Sequence, residues 1–432
     1  MSTTFRLIGA PLNQALDAAE RHLEHEELRG WDPYDALCSP LFQLPVLRSN
    51  RPLRFGAQQA LKRSPWNLRP ALRIAKQVNP VSVALYLQGQ TQRAASHPAS
   101  TEVRRKHVEA AVEGLAHMAT PGYSGSCWGY PFDWETRYGS VPAGTPTVVA
   151  TGMVTNALWR ARMLLGLERA GEQLLSAAQF VMRDLNRIDG GDGTFCWAYA
   201  PGGLHAVLNA TLKGSRLLAQ AYALGGPAEL LDAAARSVRF VLNHQLPSGA
   251  WPYSVRDSRI DNFHTGYVLE CLSAYQRQSG DRSVEGPLNR GWAYYRDRFF
   301  TEDLRPKYYD NRAEPLDSTA CAQAIITLCE FGDLEAAARV ADHGLRLLGL
   351  PDGAFAYQRR GGRTVRTPFL RWSSAWMYCA LSRLAQAVGE PPAVRTSSRS
   401  NGIGHARASK VPGGRPAPAS TARPVGASVG GG

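Results

Sequence analysis

Apolar and polar positions alternate along most of this chain with the 3.6-residue period of a helix, and strand signals are few and short. From about Thr101 to Gly389 the pattern repeats. Each unit has a Gly-containing loop with an aromatic, then an amphipathic helix of roughly 18 residues, then a second helix. Three loops share a Gly-x-aromatic signature: Gly193-Thr194-Phe195, Gly249-Ala250-Trp251 and Gly353-Ala354-Phe355. Phe195 and Trp251 are 56 residues apart, and Trp251 and Phe355 are 104 apart, or twice 52. That phase places a missing loop near Tyr308-Tyr309, within Leu304 to Asp310. A longer first loop, Ser124 to Glu135, brings the units to five.

The helices after these loops carry start signals. Thr145-Pro146 and Thr367-Pro368 each offer a capping hydroxyl followed by proline. Asp261 and Asp317 are placed to cap helices running to Ser279 and Phe331. A lone helix pair of this length cannot bury both its faces, whereas stacked pairs can, and ring closure removes the exposed ends. The expected fold is all-α, an α/α toroid of about five to six hairpins in a complete or incomplete ring. An open solenoid is the second choice, because long aromatic loops on one side suit a closed ring with a functional mouth. Residues 1–100 read as an N-terminal helical extension, with a helix over Pro11–Leu28 that places Leu12, Ala15, Leu16, Ala19 and Leu23 on one face. The toroid domain would span 101–390. From Pro391 the chain is rich in Pro, Gly, Ser and Arg with no apolar period, the composition of a disordered tail.

Composition narrows the class. The chain is 44% hydrophobic and 20% charged, which suits a globular core. No apolar run is long enough for a transmembrane helix, and the start lacks a secretory pattern. Seven scattered cysteines without a CxxC pair suit reduced thiols, so a cytoplasmic location is expected. The formal charge is +13, of which the acid-free stretch Pro391–Gly432 supplies six. The basic residues form no nucleic-acid motif, and no specific nucleic-acid partner is expected. No P-loop, dinucleotide fingerprint or metal-ligand spacing is present, so no metal or cofactor is expected.

The Gly-x-Trp/Phe loops followed by helices resemble the repeats of the squalene-cyclase and protein-prenyltransferase superfamily, and the six-hairpin-glycosidase-like toroids. The resemblance covers about 290 residues. The segments Trp128–Trp134, Asp261–Tyr267 and Arg371–Met377 look like those of uncharacterised bacterial toroid proteins that accompany polysaccharide-biosynthesis enzymes. They are also similar to toroids acting on uronic-acid polymers, such as glucuronyl epimerases and polysaccharide lyases. The resemblance implies a carbohydrate context. Triterpene cyclases carry an Asp-x-Asp-Asp-Thr-Ala motif, and Asp317 with Thr319-Ala320 matches part of it. Pro315 and Ser318 replace the other two acids, which leaves a helix cap as the better reading of Asp317.

Candidate chemistry gathers in the loops. Asp261 can cap its helix while His264, within the first turn, sits where the helix dipole attracts anions and could act as base or donor. Asp133 and Glu135 lie among Trp128, Tyr130 and Trp134, the combination of carboxylates and sugar-stacking rings a glycosidase needs. Arg371 could hold a carboxylate bidentately. Tyr253, with Asp133, Glu135, Asp261, His264 and Arg371, completes the candidate catalytic set. Trp128, Tyr130, Trp134, Trp197, Trp251, Tyr308, Tyr357 and Trp372 are the candidate substrate-binding residues. Against each stands packing: the acids can pair with Arg137, and most repeat tyrosines can wedge between hairpins.

Three functions are open. The first is a carbohydrate-active enzyme of polysaccharide biosynthesis or modification, with epimerase or lyase chemistry on an acidic chain favoured over hydrolysis. Its partners would be an acidic oligosaccharide or lipid-linked sugar, and polysaccharide-assembly proteins. The second is a non-catalytic carbohydrate-binding or scaffold subunit. The third is a terpenoid-cyclase-like enzyme, which requires a dry apolar bowl.

Overall fold

A computed structural model describes residues 10–96, 101–137 and 139–389. The segment from Pro391, for which disorder is expected, lies outside the described residues. Among these there are fourteen α-helices: α1 (Ala10–His25), α2 (Pro45–Ser49), α3 (Arg51–Arg63), α4 (Pro80–Ser96), α5 (Thr101–His117), α6 (Val148–Leu165), α7 (Glu168–Asp184), α8 (Leu208–Ala223), α9 (Ala228–Asn243), α10 (Asn262–Ser279), α11 (Glu285–Arg298), α12 (Ser318–Glu330), α13 (Leu334–Leu348) and α14 (Ala375–Gly389). Strands are two or three residues long and confined to the loops.

Helices α4, α6, α8, α10, α12 and α14 form an inner ring in which each touches the next and α14 meets α4. Outside it, α5, α7, α9, α11 and α13 each pack on the inner helix before them, and α1 packs on α14. This is a closed ring of six hairpins. Burial follows from position. Inner helices touch neighbours on every side, and α12 is buried at every position from Ser318 to Cys329. Outer helices keep one wet face, and α13 buries the stripe Ala336, Ala337, Val340, Ala341, Gly344 and Leu348.

The extension expected over residues 1–100 is therefore corrected. Its first helix is the outer half of the sixth hairpin, and α4 is a full member of the inner ring. The hairpin is split between the chain's two ends, so no local repeat could reveal it. Both Leu16 of α1 and Leu87 of α4 are buried in the same core as Leu384 of α14.

The Gly-x-aromatic repeat proves to be a folding device. Gly193, Gly249 and Gly353 sit at φ +78°, +93° and +86°, a region that disfavours side chains. At Gly353 a Cβ would also lie 2.2 Å from the Ala18 carbonyl oxygen. The aromatic two residues on then enters the core: Phe195, Trp251 and Phe355 are all buried. The missing copy lies at Leu304-Arg305-Pro306, at the start of the expected stretch Leu304–Asp310 and just ahead of Tyr308-Tyr309. Leu246 N–H donates to Ala250 and Gly249 N–H to Leu246; likewise Thr301 N–H donates to Arg305 and Leu304 N–H to Thr301. Leu304 takes the left-handed conformation itself, at φ +63°.

A second repeat lies just beyond. The amides of Val148, Leu208, Asn262 and Ser318 donate to the carbonyls of Tyr199, Tyr253, Tyr308 and Tyr357. Each of these amides is one of the orphan donors at an inner helix's start. Successive loops are thus stitched around the ring, and a tyrosine recurs at each stitch. Asp261 and Asp317 cap α10 and α12 as expected, accepting from the amides of His264 and Ala320. Two caps are corrected. Thr147, not Thr145, caps α6, accepting from Ala150 at 3.0 Å. Thr367 caps nothing: a π-helical turn, Leu370–Ser374, precedes α14, with Phe369 at its start.

Between α1 and α4 the chain makes an excursion that carries α2 and α3. Asp35 accepts from Arg69 Nε at 2.7 and 3.0 Å. Asp32 accepts from Arg371 Nε and Nη2 at 2.6 and 2.9 Å. The first buried pair braces the excursion internally, and the second fastens it to the head of the sixth hairpin.

Candidate functional site

The loops before the inner helices, together with α3, enclose a cavity of about 1320 Å³. That exceeds the usual span of a small-molecule pocket, about 300–1000 Å³, and leaves room for several sugar rings. Nine of the candidate residues line it: Tyr130, Trp134, Glu135, Tyr253, Asp261, His264, Tyr308, Arg371 and Trp372.

Five candidates do not line it: one braces its own loop and four are packed in the core. Asp133 is exposed and accepts from the Ala143 amide at 2.7 Å, bracing its own loop. Trp128 and Trp251 are core plugs whose indole N–H groups donate to the Leu115 and Val241 carbonyls at 2.8 and 3.0 Å. Trp197 is fully buried, edge-on to Phe195. Tyr357 is buried against Phe369, with ring centroids 5.1 Å apart. The four aromatic corrections share a cause. The aromatics that mark the repeat fill the gaps between stacked hairpins, so repetition signals packing.

The head of α10 holds the pair with the clearest chemistry. One Asp261 oxygen accepts from the His264 amide at 3.0 Å, and the other lies 2.7 Å from His264 Nδ1. With Nδ1–H donated to the carboxylate, Nε2 keeps its lone pair. Asp261 is buried, whereas the His264 side chain retains 25% of its surface. The imidazole stands in an aromatic cage. The centroids of Phe263, Tyr253 and Tyr267 lie 4.3, 4.7 and 5.8 Å from it.

Glu135 is buried and saturated. It pairs with Arg51 and Arg54 of α3 at 3.3 and 2.9 Å and accepts from Ser140 Oγ. It anchors α3 across the first loop, and a carboxylate so held is poorly placed to move protons. Arg371 is likewise committed to Asp32 through two nitrogens and lies over the rings of Tyr130 and Trp372. It fixes the aromatic wall while its Nη1 has no partner among the described residues.

Asp317 sits at the equivalent place on α12 but outside the cavity. It is fully buried and accepts from Ala320 N–H at 3.1 Å and Gln358 Nε2 at 2.6 Å. Burial pushes its carboxyl up to about 6, against the pull of Gln358. This is a helix cap.

Several lining residues escaped the sequence reading, chiefly Tyr34, Arg51, Lys62 and Arg63 of the excursion and Tyr199 and Arg259 of the ring loops. Lys62 donates to Tyr34 Oη at 2.6 Å and stands 4.2 Å above that ring. Neither Lys62 nor Arg63 has an acid within ion-pair distance among the described residues. Tyr199 had a signal, since it shares the spacing of Tyr253 and Tyr308. The α3 residues had none, because nothing local says which end of the ring the excursion crosses.

The backbone has counterparts of the same fold among solved structures. A cellobiose 2-epimerase from Bacillus thermoamylovorans superposes with a TM-score of 0.56 at 11% identity, over 87% of this chain and 99% of that one. The fold is the six-hairpin α/α toroid. A glycoside hydrolase family 76 mannosidase from Bacteroides thetaiotaomicron gives a TM-score of 0.56 at 7% identity, over 87% of this chain and 98% of the other. A family 76 α-mannanase from the same species gives 0.54 at 11% identity, over 71% and 86%. No protein-family model matches the chain, and no curated protein matches it by sequence. These likenesses place the fold among six-hairpin toroids and leave the chemistry to this chain's own residues. No described helix is long and apolar enough to cross a membrane.

Proposed function

We propose that this protein is a carbohydrate-active enzyme that moves a proton on an acidic sugar held in the bowl, an epimerase or lyase rather than a hydrolase. The observation that carries the reading is the Asp261–His264 pair opening into a cavity whose other charged lining is mainly cationic. Carbon acidity next to a sugar carboxylate is useful only if that carboxylate is neutralised as charge develops. Lys62 and Arg63 bring cations without local acids. His264 Nε2 is the nitrogen left to take the proton, and Asp261 holds the ring and stabilises its cationic form. Trp134, Tyr308 and Trp372 supply faces for stacking sugar rings.

Hydrolysis requires two separately acting carboxylates. Asp133 does not line the bowl, Glu135 is bound by two arginines, and Asp261 is occupied by His264. The terpenoid reading needs a dry apolar bowl, and the arginines and lysine in the lining argue against it. The toroid counterparts act on sugars by their names, an epimerase and mannan hydrolases, which fits a saccharide ligand.

The test is incubation with uronate oligosaccharides in D2O. Deuterium uptake at C5 or an unsaturated product is expected, lost in His264→Gln. Neutral oligosaccharides should give neither. A protein that binds the acidic sugars yet exchanges no proton across a broad panel would be the non-catalytic binding subunit instead.

A further inference from the structure

The excursion presents a surface that the bowl does not use. Among the described residues fourteen large apolar side chains are exposed, and six of them, Leu41, Leu44, Val46, Leu53, Trp66 and Leu68, lie between residues 41 and 68. Val46 and Trp66 keep 73% and 74% of their surface. Such a concentration in one short segment marks an interaction surface, since scattered single exposures are the rule elsewhere. Helix α3 explains part of it. Phe55, Gln59 and Lys62 line the cavity, Gln58 and Leu61 are buried, and Leu53, Gly56 and Ala60 face solvent on a third side.

Charge says what the surface fits. No acid occurs between Asp35 and Glu102; of the bases in that stretch Arg51 and Arg54 are held by Glu135, Lys76 by Glu26, and Lys62 and Arg63 line the bowl. Arg48 and Arg73 are exposed and pair with no acid among the described residues. A second copy of this chain would set like charges against each other. The apolar groups project from a 3-10 turn, two helices and a loop. Leucine, valine and tryptophan tips among arginines suit a fluid anionic surface, where the apolar groups enter the acyl boundary and the cations meet lipid phosphates.

We propose that residues 41–68 dock this protein on an anionic membrane surface, with α3 joining that surface to the wall of the bowl. The inference stands apart from the saccharide reading, because it uses residues on the solvent side of α3.

Co-sedimentation of the full chain with phosphatidylcholine vesicles, with and without phosphatidylglycerol, tests it. Binding is expected only with the anionic lipid and should weaken as salt is raised. The triple variant Leu44→Asp, Val46→Asp, Trp66→Asp removes exposed groups alone, and its thermal melt should match the parent's. It should lower the bound fraction about tenfold or more, while Arg48→Ala gives a smaller loss. Failure to sediment with anionic vesicles overturns the proposal. So does equal binding of parent and triple variant, which would place the contact elsewhere, on the basic stretch after Pro391 for example. Self-association abolished by the triple variant, with no vesicle binding, would assign the face to a second copy and also overturn it.

Discussion

Helices α10 and α12 begin with the same device and end up with different chemistry. Asp261 and Asp317 each cap an inner helix through the amide three residues on, and the next residue's amide donates to a repeat tyrosine in both. The difference lies in the spare carboxylate oxygen and what covers it. On α10 the residue three along is His264, which the oxygen holds at the edge of the bowl. On α12 that residue is Ala320, and the oxygen receives Gln358 from a strand of the hairpin that seals the site. A capped helix start presents a titratable side chain to the bowl only when one fills the third position and the next loop leaves it open.

The largest effect should come from breaking the α10 pair. His264→Gln is expected to lower turnover on the acidic sugar by roughly 10²–10⁴, with Asp261→Asn close behind. Asp317→Asn should leave turnover within a few-fold. Equal losses from both caps, measured as initial rates, would show that helix integrity rather than the dyad is at stake.

Stability should reverse the order. Asp317→Ala strands a buried amide and the Gln358 side chain, at a cost of about 2–3 kcal/mol in denaturant melts. Asp261→Ala, at the wetter site, should cost about 1 kcal/mol.

Titration sharpens the contrast. Asp317's carboxyl is raised from 3.8 to about 6 in the fold, so the native state holds this proton more tightly than the unfolded chain. Its contribution to stability is full below 3.8 and is lost as pH rises through about 6. Relative to Asp317→Asn, the parent should therefore lose on the order of 1–3 kcal/mol between pH 4 and 7. A parallel pH profile for the two proteins would remove that account.

A further effect belongs to the ring's interior. Lys213 of α8 is buried with its ammonium 3.8 Å above the Tyr267 ring, and burial pulls it down to about 8. A lowered lysine begins to cost stability as pH falls below about 10.5 and costs it in full below about 8, so Lys213→Met should stabilise by roughly 1–2 kcal/mol at pH 7. The gain should vanish above about pH 10.5, as followed by thermal melts.

Much of the architecture was legible locally because each hairpin repeats one solution. Left-handed glycines, aromatic plugs and stitching tyrosines recur because every hairpin meets the next in the same way. The same regularity misled the reading of Trp128, Trp197, Trp251 and Tyr357, since the most periodic aromatics are the ones the ring buries. Asp261 and His264 stood out because their spacing fits one helical turn. Glu135 did not reveal its role, because its partners Arg51 and Arg54 lie more than 80 residues away in sequence.

The sequence by itself determined the helical hairpins, the caps at Asp261 and Asp317 and the aspartate–histidine juxtaposition, because these depend on contacts within a turn or a repeat. Only the tertiary structure decided that α1 and α14 share a hairpin, that α3 walls the bowl and that one capped helix opens while another is sealed. Each of those depends on residues far apart in sequence meeting at ring closure, and no local period records which ones meet.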